Sequence, residues 1–164
     1  MTTESISELG ERVADLASSA GVTVAVAESL TSGAIASALG ASPQAGSWFA
    51  GGVVAYSEHV KFDVLGVTPG PVITEPCARQ MADGVGRLLS ADVVAAVTGA
   101  GGPGEQEGKP AGTVYLAHGR PGEVEVAELH LDGEPEEVVN RTVEAALDAL
   151  VRDLETLDRE ATSW

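Results

Sequence analysis

A chain of 164 residues, 44% of them apolar, is long enough to bury a core of its own, and residues 1–164 read as a single domain. Its formal charge of -16, from 25 acidic and 9 basic residues, argues against a nucleic-acid partner, because phosphate contacts need clustered Lys and Arg. No apolar run approaches the ~20 residues that span a bilayer, no basic-then-apolar signal opens the chain, and the single Cys77 has no partner for an internal disulfide; a cytoplasmic protein away from membranes is the expectation.

Ile6, Leu9, Val13 and Leu16 recur at helical spacing over residues 5–19, and Gly21 is placed to end that helix. The small and β-branched run of residues 22–27 predicts a buried strand, and a helix is expected from Thr31 to Leu39. "SPQAGS" reads as a loop and "WFAGGVVAYS" as a second strand, in which Gly51-Gly52 signals a bulge or a close backbone approach. "EHVKFDVLG" predicts a short helix and "VTPGPVI" a turn-rich passage. "TEPCARQMADGVGRLL" opens with a capping threonine and an early proline and reads as a further helix. "ADVVAAVTG" is a third buried strand, followed by the long loop "AGGPGEQEGKPAG". "TVYLAHG" and "EVEVAELHL" form an antiparallel pair about Arg120-Pro121-Gly122. The last helix is expected from Pro135 to Leu157, with Val139, Val143, Ala146, Leu147, Leu150 and Leu154 inward. Helices alternating with apolar strands imply an α/β fold, a three-layer α/β/α sandwich on a mixed, partly parallel sheet.

In such sheets ligands bind where strands end and helices begin, and three segments qualify. The first is Glu28-Ser29-Leu30-Thr31-Ser32-Gly33. A serine at a helix start has unpaired N–H groups beside it that can hold an oxyanion; the plainer alternative is that Ser29 or Thr31 merely caps the helix. The second holds Tyr56, Ser57 and Lys61, with Lys61 one helical turn after Ser57. A lysine there can serve as a general base if burial lowers its pKa, and is otherwise a solvated surface residue. The third, "VTGAGGPGEQEGKPAGTV", matches neither G-x-x-x-x-G-K-[ST] nor a strand-to-helix G-x-G-x-x-G, yet can bring backbone N–H groups to a phosphate or serve as a flexible connector. His59, His118 and His130 are scattered without ligand spacing, so no metal is expected.

Taken together, "AESLTSG", "GSWFAGGVVAYSEHVKFDVLGV" and "VTGAGGPGEQEGKPAGTVY" resemble the three signature blocks of the CinA C-terminal domain family, over roughly residues 5–155. That family includes stand-alone nicotinamide mononucleotide deamidases. The resemblance implies a hydrolase that converts nicotinamide mononucleotide to nicotinate mononucleotide and ammonia, with a serine–lysine pair and neither metal nor cofactor. It implies Ser29 as nucleophile, Lys61 as general base and Tyr56 as an aid to positioning or proton transfer. It further implies Thr31, Gly33, Thr98, Gly99, Gly101 and Gly102 around a pyridine nucleotide, Arg141 as a phosphate contact, and a homo-oligomer, a dimer at least. Cys77, in its own helix, is expected far from the three blocks, and His59 points away from Lys61. The chain departs from the family pattern at Leu30, which is bulkier than usual, and at Ser32, which stands where the first of two glycines is usual. If that position needs a positive φ, Ser32 is strained. Two other readings stay open: a nucleotide-binding, competence-associated relative with weak or no turnover, and a different amidase or phosphatase-like hydrolase.

Overall fold

The computed structural model describes residues 5–162. Helix α1 (Ile6–Ala20) begins where the Ser5 hydroxyl accepts from the Glu8 N–H at 3.1 Å, and ends at Gly21, whose φ of 68° lets its N–H turn back to the Ala17 carbonyl. Strand β1 (Val24–Glu28) follows, every residue of it buried. Then come α2 (Ala34–Gly40), α3 (Ala45–Trp48), β2 (Phe49–Val54), α4 (Glu58–Asp63) and α5 (Glu75–Leu89). Strand β3 (Val93–Gly99), strand β4 (Thr113–Gly119), strand β5 (Glu125–His130) and helix α6 (Pro135–Thr162) complete the chain.

The five strands form one sheet in the order β2-β1-β3-β4-β5. β1 lies parallel to both β2 and β3, whereas β4 and β5 run antiparallel. Alternate residues of the buried strands feed two cores. Val24, Val26, Ala95 and Leu116 meet α1, α2 and α6 on one face; Ala25, Ala27, Ala96 and Ala117 meet α5 and the residues around α4 on the other. This is the expected three-layer sandwich with a mixed sheet. No described helix is long and apolar enough to cross a membrane.

Several boundaries differ from the sequence reading. The expected "SPQAGS" loop contains the one-turn α3, and Trp48 closes that helix instead of opening the strand, its indole N–H bonded to the Pro43 carbonyl at 2.9 Å. β2 stops at Val54, which frees Ala55 and Tyr56 for another use described below. α4 ends at Asp63, short of Gly66, and α6 continues to Thr162, five residues past Leu157. At Gly52 a Cβ would lie 2.9 Å from Val26 Cγ2 and 3.1 Å from its carbonyl, so the paired glycines mark the close approach of β2 to β1. α2 begins at Ala34, three residues later than expected, and the intervening turn shapes the site.

Candidate active site

β1, β2 and β3 run the same way, so their carboxyl ends open at one edge of the sheet. The three segments singled out above all leave from that edge. They enclose a cleft of about 530 Å³ lined by Ser29, Tyr56, Lys61, Thr98, Gly99, Gly101 and Gly102, together with Leu30, Glu58, Val72, Ile73, Gln106, Glu107, Pro135 and Val139. The first seven come from three stretches far apart in sequence. Thr31, Gly33 and Arg141 are not among the cleft's lining residues.

The turn after β1 explains why. Ser32 N–H bonds back to the Ser29 carbonyl at 3.1 Å and Ala34 N–H to the Thr31 carbonyl at 2.9 Å, with Ser32 at φ 51° and Gly33 at φ 99°. The position expected to need a positive φ does have one. Neither Ser29 nor Thr31 caps α2: the N-cap is Gly33 and makes no side-chain bond. The cap is the carboxylate of Glu28, which is 1% exposed. It accepts from Ile35 N–H and Ala36 N–H, both at 2.9 Å, and from the Thr31 hydroxyl at 2.6 Å. Thr31 therefore serves the turn. The first N–H groups of α2 are already taken, and the donors left near Ser29 for an oxyanion are the Leu30 and Thr31 N–H groups of the turn itself. The Ser29 hydroxyl, at the cleft wall, has no hydrogen-bond partner among the described residues. Sequence reading missed Glu28, although a carboxylate closing an apolar strand ahead of small turn residues was the visible signal.

Lys61 is buried to 2% exposure, so the solvated alternative does not hold. Ser57 caps α4 by accepting from Val60 N–H at 3.4 Å, and one turn later Lys61 points back under the end of β2. Its ammonium donates to the carbonyls of Ala55 at 2.7 Å and Tyr56 at 3.2 Å, the two residues left over where β2 stops early. Burial holds its pKa below the ordinary 10.5, against the opposing pulls of Cys77, Glu58 and Glu107. Tyr56 is 69% exposed and lines the cleft.

Cys77 is a correction. It lies in α5, as expected, but not far from the site: its thiol is close enough to Lys61 for the two to couple, and it contacts the Thr98 side chain. Burial pushes it up to about 11, with Lys61 and the Thr98 hydrogen bond pulling the other way, so it stays a neutral thiol at neutral pH. The Thr98 hydroxyl donates to the Val72 carbonyl at 2.8 Å. Arg141 is exposed on α6, two residues beyond cleft-lining Val139 and so about 200° further round the helix. Lys61 is the one Lys or Arg among the cleft's lining residues, and two carbonyls hold it. An anionic ligand group would thus rely on backbone N–H groups such as those of Gly101 and Gly102, since the Ala100 N–H is bonded to the Thr113 carbonyl and Pro103 has none. At Gly101 a Cβ would meet only Leu30, at 3.7 Å, so the space beside that backbone is open. Among the described residues no group of three or more His, Cys, Asp or Glu is arranged to hold a metal.

Residues 6–154 match the family model described as the CinA C-terminal domain. The chain is 41% identical over 142 residues to a CinA-like protein of Gloeobacter violaceus, covering 82% of this chain and 33% of that protein. It is 38% identical over 159 residues to a CinA-like protein of Mycolicibacterium paratuberculosis, covering 89% and 37%. The chain thus spans about a third of the length of these curated relatives. Among solved structures, a competence-damaged protein (CinA) superfamily protein from Enterobacter cloacae superposes with a TM-score of 0.90 at 31% identity, over 94% of this chain and 95% of that one. A competence/damage inducible protein from Agrobacterium tumefaciens superposes with a TM-score of 0.84 at 32% identity, over 94% and 99%.

Proposed function

The chain belongs to the CinA C-terminal domain family, and from that premise we propose that it is an amidohydrolase converting nicotinamide mononucleotide to nicotinate mononucleotide and ammonia. The observation that carries the reading is the pairing, in one cleft, of an uncommitted serine hydroxyl with a buried lysine held by two backbone carbonyls. A lysine whose pKa is lowered has a larger neutral fraction near neutral pH, and only the neutral amine can accept a proton.

In the proposed reaction Ser29 Oγ attacks the carboxamide carbon while Lys61 Nζ takes the hydroxyl proton. The Leu30 and Thr31 N–H groups face the oxyanion that develops on the carbonyl oxygen. Lys61 then returns the proton to the departing nitrogen, which leaves as ammonia, and an acyl-serine remains. Water attacks that ester and gives one proton to Lys61, which passes it to the departing Ser29 Oγ; the acid product ionises, its remaining proton going to the released ammonia, and both residues are restored. The Ala55 and Tyr56 carbonyls fix the direction of the amine, and the Tyr56 side chain at the cleft wall aids positioning or proton transfer. The glycine backbone of residues 99–102 approaches the nucleotide's phosphate.

The experiment is ammonia release by the purified chain from nicotinamide mononucleotide, nicotinamide riboside and NAD. Ser29→Ala and Lys61→Met are each expected to lower the rate on the order of 10⁴-fold, with the double variant hardly worse, as for residues that act as a unit. Ser57→Ala, which removes only a helix cap, should keep turnover. Loss in Ser57→Ala with retention in Ser29→Ala would assign the nucleophile to the wrong serine. Binding of the nucleotide without ammonia release would favour the non-catalytic relative, a reading to which the strained Ser32 beside the nucleophile lends support.

A further inference from the structure

The glycine-rich loop is less free than its composition suggests. Gln106 and Lys109 form a two-residue hairpin, Gln106 N–H to the Lys109 carbonyl at 3.0 Å and Lys109 N–H to the Gln106 carbonyl at 2.8 Å. Its two central residues are Glu107 at φ 53° and Gly108 at φ 74°. Such turns take Asn, Asp or Gly at both centres, because a longer L side chain is strained there. A glutamate in the first place calls for a reason outside the turn.

Its side chain gives one. The Glu107 carboxylate reaches back 34 and 35 residues and accepts from two successive N–H groups: Val72 at 3.1 and 3.0 Å, and Ile73 at 2.8 Å. The carbonyl of the same Val72 accepts from the Thr98 hydroxyl at 2.8 Å. The short passage ahead of α5 is therefore held through its N–H groups by the loop and through its carbonyl by the end of β3. Val72, Ile73, Thr98, Gln106 and Glu107 all line the cleft that holds Ser29 and Lys61. We infer that Glu107 is a positioning residue, which latches the glycine-rich loop to the Val72–Ile73 backbone and so fixes one wall of the cleft.

This rests on the amidohydrolase reading only for its consequence in catalysis; the latch itself is independent of any reaction. A second effect accompanies the geometry. The titratable groups facing Lys61 are Glu58 from α4, Cys77 from α5 and Glu107 from the loop, and the two carboxylates favour the protonated amine. Neutralising Glu107 removes one of them, so the Lys61 titration moves further down.

The chain has two lysines, so ¹³C-lysine labelling gives two signals, Lys61 and Lys109, and reads this without turnover. Three measurements on wild type, Glu107→Gln and Glu107→Gly test the latch: amide exchange at Val72 and Ile73, the lysine titrations, and kcat/KM against pH. Faster exchange at both amides, a lower Lys61 midpoint and a fall in kcat/KM of tenfold or more are expected in each variant. Glu107→Gly is the sharper arm, because it relieves the backbone while deleting the latch. If Glu107→Gly leaves exchange and the Lys61 midpoint unchanged, Glu107 is only a turn residue and the inference is overturned. If the wild-type chain releases no ammonia while the exchange and titration effects are seen, the latch stands and the amidohydrolase assignment falls.

Discussion

At the scale of single residues, Lys61 carries two opposed obligations. A buried amine is useful to chemistry because its charged form is disfavoured, and for the same reason it weakens the fold. Its folded pKa lies below the unfolded value, so the unfolded chain binds more protons and stability rises with pH across that interval. The destabilisation is fully present below the folded pKa and vanishes as pH rises past the ordinary 10.5. Lys61→Met keeps much of the volume and deletes the charge, though it strips a donor from the Ala55 and Tyr56 carbonyls. We expect this variant to be the more stable, on the order of 1 kcal/mol near neutral pH, with the advantage shrinking toward pH 10. Thermal melts of both proteins at the two pH values check this, and a variant that melts earlier near pH 7 would contradict it. Cys77 could not have been placed by sequence. Its neighbours Lys61 and Thr98 lie 16 and 21 residues away, and its proximity exists only once α5 crosses the sheet.

At the scale of elements, the passage from β1 to α2 shows what patterning can and cannot reveal. The strands were legible because parallel strands buried on both faces read as unbroken apolar runs, and α1 and α5 because Ser5 and Thr74 cap them. The start of α2 was not, because alanine-rich sequence continues the helical pattern back through residues that the Glu28 carboxylate pulls into a turn. The shared cleft was legible as three loops at strand ends; the hairpin within the third was hidden by glycines that suit any turn. Ser32 offers a direct test. Its φ of 51° strains an L residue, and its side chain is exposed. Ser32→Gly should therefore raise stability by up to ~1 kcal/mol, the added freedom of the unfolded chain taking back part of the gain. A denaturant midpoint that falls would mean the Ser32 side chain supports the turn in some other way.

At the scale of the molecule, the charge of -16 is spread over a fold with two cores built mainly of Val, Ala and Leu and few rings. Like charges repel across the compact state, and salt weakens that repulsion as the screening length falls from ~10 Å at 0.1 M to ~3 Å at 1 M. The lysine-poor, acidic surface is suited to a medium of high salt. The melting temperature is expected to climb between those two concentrations, and a flat profile in a salt series would show that the acidic groups are already compensated by their ion pairs.

The same acidity bears on how a catalytic cycle ends. Hydrolysis of a carboxamide turns a neutral group into an anion, and it would do so in a cleft whose lining carries Glu58 and Glu107 and whose one cation is turned toward carbonyls. The product arrives one negative charge richer than the substrate that entered, inside a molecule already strongly negative. Repulsion then acts more strongly on product than on substrate, whose phosphate it already meets, and so favours release without any moving part. Inhibition by nicotinate mononucleotide should accordingly tighten as salt is added, while inhibition independent of ionic strength would mean that the backbone donors of the glycine-rich loop outweigh the field around them.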